Sequence, residues 1–317
     1  MERRRLGNSG LEITPLVFGG NVFGWTVDEA QSFRLLDAFV AAGGTMVDTA
    51  DVYSKWAPGN SGGESETIIG NWLARRGGRH GVLIATKCGM ELGPDRKGLS
   101  RRWIVQAVED SLRRLRTDVI DLYQSHKDDP ETPLEETLEA HAQLVRQGKV
   151  RAIGASNYAA PRLAEALETS RRLGIPRYET LQPEYNLYDR AGFEGALQDL
   201  CVREGLGVIP YYSLASGFLT GKYRSEADLG DRARAAKARN YLNPRGQRVL
   251  AALDTVAGRL GATPAQVSLA WLMARPAIAA PIASATTVEQ LDEIMGATRL
   301  RLDADAMALL DGTGEAG

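Results

Sequence analysis

The chain has 317 residues, 44% of them hydrophobic and 25% charged, and its 38 basic and 40 acidic side chains leave a net charge of −2. That length can bury one large core, while so balanced a charge offers little to nucleic acid or to an anionic membrane surface. Two cysteines cannot staple a chain of this size and match no zinc spacing, so no metal is expected, and residues 1–6 are basic without the apolar run of a signal peptide or anchor.

Residues 5–7 and 11–13, around Asn8-Ser9-Gly10, read as a short hairpin that closes the bottom of a barrel. Residues 16–19 form the first barrel strand, and Asp28 stands where it caps a helix running to Ala42. Short apolar runs at 45–48, 82–87 and 120–125 have the length and flanks of buried parallel strands. Further strands are expected at 151–155, 180–183, 207–211 and 279–282, which makes eight.

Between the strands lie stretches of helical length with turn-spaced apolar positions, such as Ile104, Val105, Val108, Leu112 and Leu115. The polar stretch 224–243 reads as a long loop over the active face, 245–260 as an extra helix, Thr263-Pro264 as a helix start and 303–310 as a terminal helix. Strand and helix alternate throughout. The expectation is a single (β/α)8 TIM barrel domain over 1–317, with an N-terminal β-hairpin, extra helices and long loops on the C-terminal face.

Three of these runs end in chemistry. Asp48 closes the second strand, Tyr53 follows in the next loop, Lys87 closes the third and His126 follows the fourth. If the strands are parallel, all of these ends face one way. A Tyr hydroxyl is a poor acid at neutral pH, and a neighbouring ammonium is expected to lower its pKa so that Tyr53 protonates an oxygen. Asp48 would hold Lys87 charged, and His126 would hydrogen-bond the same oxygen or steer the substrate. Protonating a carbonyl oxygen is a reduction only if a cofactor delivers hydride to the carbon.

The order Val47-Asp48-Thr49-Ala50-Asp51-Val52-Tyr53, Ala85-Thr86-Lys87 and Leu122-Tyr123-Gln124-Ser125-His126 resembles the aldo-keto reductases. The resemblance continues through 148–158, Gln182-Pro183-Glu184-Tyr185-Asn186, 211–217 and Thr220-Gly221-Lys222-Tyr223, and it runs to about Ala297. It implies a barrel that reduces aldehydes or ketones to alcohols with NAD(P)H, with Tyr53, Asp48, Lys87 and His126 as the catalytic tetrad. It further implies that Ser156, Asn157 and Gln182 bind the nicotinamide amide while Tyr211 stacks on its ring. Gly20 and Asn21 join the cofactor site. The turn 213–222, with Ser213, Leu214, Ser216, Gly217 and Lys222, would hold the pyrophosphate, and Ser284, Thr286, Gln290 and Glu293 the adenosine end.

Departures from the family pattern fall at two places. The segment 281–294 has no Arg or Lys for a 2′-phosphate and carries Ile294 where Asn is usual, so Arg232 or Arg234 would supply the charge; NADP(H) is favoured and NAD(H) stays open. Ser54 stands where Gly usually follows the Tyr, and an insertion at 55–60 brings Trp56, which with Trp25 either walls the carbonyl pocket or packs one loop on another. The insertion and the Gly-Lys-Tyr loop look most like the branch with bacterial general-stress reductases and potassium-channel beta subunits. That resemblance raises the alternative of a nicotinamide-loaded redox-sensing or partner-binding subunit with little turnover.

A Rossmann fingerprint and a P-loop are both missing, which sets aside a kinase or ATPase. A glycosidase using Glu184 and Asp48 has no need of Lys87 beside Tyr53. Cys88 reads as a buried packing thiol near the site, and a reduced, cytoplasmic setting is the default. The expected partner is a small carbonyl substrate, not nucleic acid or membrane, with the oligomeric state open.

Overall fold

The computed structural model describes residues 2–231 and 233–313. Strands β1 (Arg4–Arg5) and β2 (Glu12–Ile13) pair antiparallel as the expected hairpin. Eight parallel strands follow: β3 (Val17–Gly19), β4 (Met46–Asp48), β5 (Leu83–Cys88), β6 (Ile120–Ser125), β7 (Val150–Ser156), β8 (Tyr178–Gln182), β9 (Gly207–Val208) and β10 (Ile282–Ala283). Around them run α1 (Glu29–Ala41), α2 (Glu64–Arg75), α3 (Arg101–Leu115), α4 (Leu134–Arg146), α5 (Ala160–Leu173), α6 (Ala196–Glu204), α7 (Ala235–Ala238), α8 (Pro244–Leu260), α9 (Pro264–Met273), α10 (Val288–Gly296) and α11 (Ala304–Asp311).

The sheet order is β10-β3-β4-β5-β6-β7-β8-β9. Its edges meet through Val208 N–H to Ala277 O, Ala279 N–H to Val208 O and Ile282 N–H to Pro210 O, each 2.9 Å, so the sheet closes into a (β/α)8 barrel. The last two strands depart from expectation. The seventh is regular only over Gly207–Val208, although Ile209 N–H still bonds Leu181 O and Tyr211 N–H bonds Pro183 O, each at 3.0 Å; Pro210, which has no N–H to give, sits on the opposite edge and accepts from Ile282. The eighth is regular only over Ile282–Ala283, and 277–279 before it pairs with the seventh by the single bridge between Val208 and Ile278.

Caps and stops follow local chemistry. The Asp28 carboxylate accepts from Gln31 N–H at 2.8 Å and starts α1, and Thr263 with Gln266 forms a capping box before Pro264. The stretch 224–243 is less irregular than expected, since it contains α7 and short turns of 3₁₀ helix at 226–228 and 239–241. No helix among the described residues is long and apolar enough to cross a membrane.

The period of two along the strands sets what the barrel encloses. Met46, Ala85 and Leu122 point into an inner cluster with Val17, Ala152 and the hairpin residues Leu6, Leu11 and Ile13, which plug the bottom. Two residues further along β4, β5 and β6, on the same face, stand Asp48, Lys87 and Gln124. The apolar floor and the polar ring above it are thus one pattern.

Candidate active site

Lys87 is fully buried, and its ammonium donates to Asp48 Oδ2 at 2.8 Å, to Thr49 O at 2.7 Å and to Tyr53 Oη at 2.9 Å. All three donors are spent, which suits a charge taken out of water. Asp48 is satisfied as well. Its Oδ1 accepts from Gln182 Nε2 at 3.0 Å, and its Oδ2 also accepts from Tyr53 O–H at 3.3 Å.

The Tyr53 ring is brought over Lys87 by a turn in which Tyr53 N–H bonds Ala50 O at 3.2 Å, and Nζ lies 4.5 Å from the ring centroid. Ser54 then takes φ +71°, a left-handed value that glycine adopts freely. Its hydroxyl donates to Phe23 O at 2.6 Å, and Asn60, from the insertion, donates to Ser54 O at 2.9 Å and Gly24 O at 2.8 Å. These bonds hold the conformation that the missing glycine would have allowed.

Burial, followed by the Asp48 charge, pushes the Tyr53 phenol well above its ordinary pKa. This reverses the expected lowering by Lys87: a desolvated phenol next to a carboxylate keeps its proton. Burial also lowers the Lys87 ammonium, against the pull of Asp48. His126 is held well below its ordinary value, first by burial and then by the Lys87 charge, so its imidazole is neutral. Its ring lies 6.0 Å from that of Tyr53.

Above this cluster opens a cavity of about 980 Å³. Asp48, Tyr53 and His126 line it, and Lys87 stands behind them. Asn21, Ser156, Asn157, Gln182 and Tyr211 line its inner part. Ser213, Leu214, Ser216, Gly217 and Lys222 line it as well, as do Thr286, Gln290, Glu293 and Ser284, whose hydroxyl bonds Asn21 Oδ1 at 2.6 Å.

Gly20 is the exception. It faces the carbonyl of Asp48 and the hydroxyl of Ser65, and its neighbour Gly19 lines the cavity instead, with Ser284 Oγ where a side chain would begin. Arg232 lies outside the described residues. Trp25 and Trp56 both line the cavity and meet edge to face at 5.6 Å, with Trp56 6.0 Å from the Tyr53 ring. Cys88 is buried outside the cavity, and burial raises its thiol pKa.

The inner polar groups are already ordered. Tyr211 O–H donates to Asn157 Oδ1 at 2.6 Å, Asn157 Nδ2 donates to His126 O at 2.9 Å, and Ser156 O–H donates to Gln182 O at 2.8 Å. Tyr212, Ala215, Ser216 and Gly217 all have positive φ, and the Lys222 ammonium lies 3.0 Å from where a Cβ on Gly217 would be. Within this turn Ala215 N–H bonds Tyr212 O at 2.7 Å and Gly217 N–H bonds Leu214 O at 2.8 Å, which fixes a tight backbone beside the ammonium. Gln290 Oε1 accepts from both N–H and O–H of Thr286, at 2.9 and 3.0 Å.

Cavity residues that the sequence pattern did not single out include Gly19, Met90, Tyr212 and Lys237. The spacing of Arg234 and Lys237 was the available signal, since i and i+3 share a helix face, but it is informative only once 235–238 is helical.

Residues 15–315 match the profile of the aldo/keto reductase family. The chain belongs to that family. Members in general reduce carbonyls with nicotinamide cofactors, and this member shares their barrel. Protein Tas of Escherichia coli (strain K12) is 33% identical over 98% of this chain and 97% of its own length. The uncharacterized oxidoreductase YrpG of Bacillus subtilis (strain 168) is 36% identical over 98% and 95%. A probable voltage-gated potassium channel subunit beta of Arabidopsis thaliana is 33% identical over 94% and 91%.

Proposed function

We propose that this family member reduces aldehydes or ketones to alcohols, with Tyr53 as the general acid, and that NADP(H) is its preferred cofactor. The observation that carries the reading is Lys87 Nζ, 2.9 Å from Tyr53 Oη and 2.8 Å from Asp48, beneath a cavity that Tyr53 lines. The raised Tyr53 pKa keeps the proton on the phenol until a carbonyl oxygen takes it, and Lys87 then stabilises the phenolate. Asp48 orients Lys87, and neutral His126 is available to hydrogen-bond the same oxygen.

The residues present suit a nicotinamide dinucleotide. Ser156, Asn157 and Gln182 would hold the carboxamide, Tyr211 the ring, the 213–217 backbone with Lys222 the pyrophosphate, and Thr286, Gln290 and Glu293 the adenosine end. When bound, the cofactor supplies the hydride. A glycosidase reading is disfavoured because both Asp48 oxygens are engaged, by Lys87, Tyr53 and Gln182.

The test is fluorescence titration of the purified protein with NADPH and NADH, followed by an aromatic aldehyde added to the tighter complex. Tighter NADPH binding with loss of nicotinamide absorbance is expected; tighter NADH binding would reverse the cofactor preference. Binding without oxidation of any carbonyl would favour the redox-sensing or partner-binding role, and absence of binding would overturn the cofactor reading.

A further inference from the structure

The cavity holds two cations besides Lys222, namely Arg234 and Lys237, three residues apart at the start of α7. The Arg234 guanidinium carbon lies 5.8 Å from the Trp25 ring. From there aromatic contacts lead through Trp56 to Tyr53, so the arginine stands on the wall that also bounds the proton donor. Lys237 Nζ sits 3.6 Å above the Tyr212 ring, and Tyr212 meets Tyr211 at 5.1 Å.

Neither cation forms an ion pair among the described residues, whereas Arg79, Arg114 and Arg275 each sit on a carboxylate. Arg234 Nη2 is buried without a hydrogen-bond partner. Near it stand the rings of Tyr212 and Tyr223, and the cavity carboxylate Glu184 interacts with Lys237. Arg234 lines the cavity with one guanidinium donor left unmatched, which is costly, and a planar anion with two acceptors suits that fork.

We propose that the pocket selects carbonyl substrates carrying a carboxylate, held by Arg234 with Lys237 as second cation, while the carbonyl lies at Tyr53. Trp25 and Trp56 flank the body of the substrate between the two ends. This rests on the reductase reading and adds the substrate class. It also gives Arg234 to the substrate and not to a cofactor phosphate.

The test compares 4-formylbenzoate with 4-formylbenzamide, which share shape and reacting group and differ in charge. The wild-type enzyme should favour the carboxylate in kcat/KM. Arg234→Gln should reduce that preference about ten- to hundredfold, the worth of one or two charge-assisted bonds. Arg234→Lys should keep part of it, Lys237→Gln should lower it less, and added salt should weaken it in the wild type. Cofactor affinity is titrated in parallel. If Arg234→Gln weakens cofactor binding and leaves the preference intact, the arginine serves the cofactor and the proposal is overturned. Equal turnover of the two aldehydes by wild type overturns the substrate class while the reductase reading stands; oxidation of cofactor with neither removes both.

Discussion

Lys87 makes the site intelligible residue by residue, because a fully buried ammonium is tolerated only with all its donors matched. Tyr53→Phe keeps the Lys87–Asp48 pair, leaves one Lys87 donor unmatched and removes the transferable proton. Turnover should fall about 10²- to 10⁴-fold, the usual worth of a general acid, with cofactor titration near wild type and a urea midpoint lowered by the unmatched donor. Lys87→Met strands the Asp48 carboxylate, and removing one partner of a buried pair costs about 3–5 kcal/mol, so this variant should lose stability as well as turnover. Wild-type turnover in Tyr53→Phe would remove Tyr53 as the acid. Ser54 carries a second lesson at this scale: a departure from the expected glycine is absorbed by the hydroxyl's bond to Phe23 and by Asn60 from the insertion.

Packing between elements decides the sign of effects that helix propensity predicts wrongly. Gly70 lies within α2 and Gly258 within α8, and alanine is the better helix former at either position by about 1 kcal/mol. A Cβ at Gly70 would sit 2.0 Å from Arg114 O and 2.8 Å from Leu115 C, so α2 and α3 meet backbone to side-chain stub there and neither can yield cheaply. At Gly258 nothing lies within 4 Å. Gly258→Ala should therefore stabilise by about 0.5–1 kcal/mol, and Gly70→Ala should destabilise by roughly 1–3 kcal/mol. Urea denaturation of the two variants checks this, and shifts of the same sign would show that propensity governs both sites.

Stability of the whole molecule responds to protons on buried groups far from solvent. Burial holds His141 down to about 4, and its Nε2 shares a 3.0 Å hydrogen bond with Ser125 Oγ. In the unfolded chain an imidazole takes up its proton near pH 6.5. Between 6.5 and about 4 the unfolded state therefore binds more protons, and stability is lost as pH falls through that window. Buried Asp51 works the other way, because its raised pKa makes the folded state bind the extra proton above the ordinary carboxylate range. The informative quantity is thus the stability difference between wild type and His141→Gln. It should shift against the wild type by at most about 1.4 kcal/mol per pH unit below 6.5, read from urea curves at pH 7, 6 and 5. A pH-independent difference would mean that His141 titrates normally in the folded protein.

Sequence alone determined the barrel class, the hairpin and most strand and helix positions, and it pointed to Asp48, Tyr53, Lys87 and His126 as one cluster, because these depend on local periodicity and on side chains at strand ends. The apolar residues two positions before Asp48 and Lys87 identify the face that carries the chemistry. Tertiary structure alone decided the rest. Gly19 and not Gly20 came to line the cavity, and burial turned the expected acidic Tyr53 into a phenol that holds its proton. The pairing of Arg234 and Lys237 on one wall likewise required α7 to form. Each of these depends on what surrounds a residue in space, through desolvation, close approach or a shared face, and a linear pattern does not carry that information.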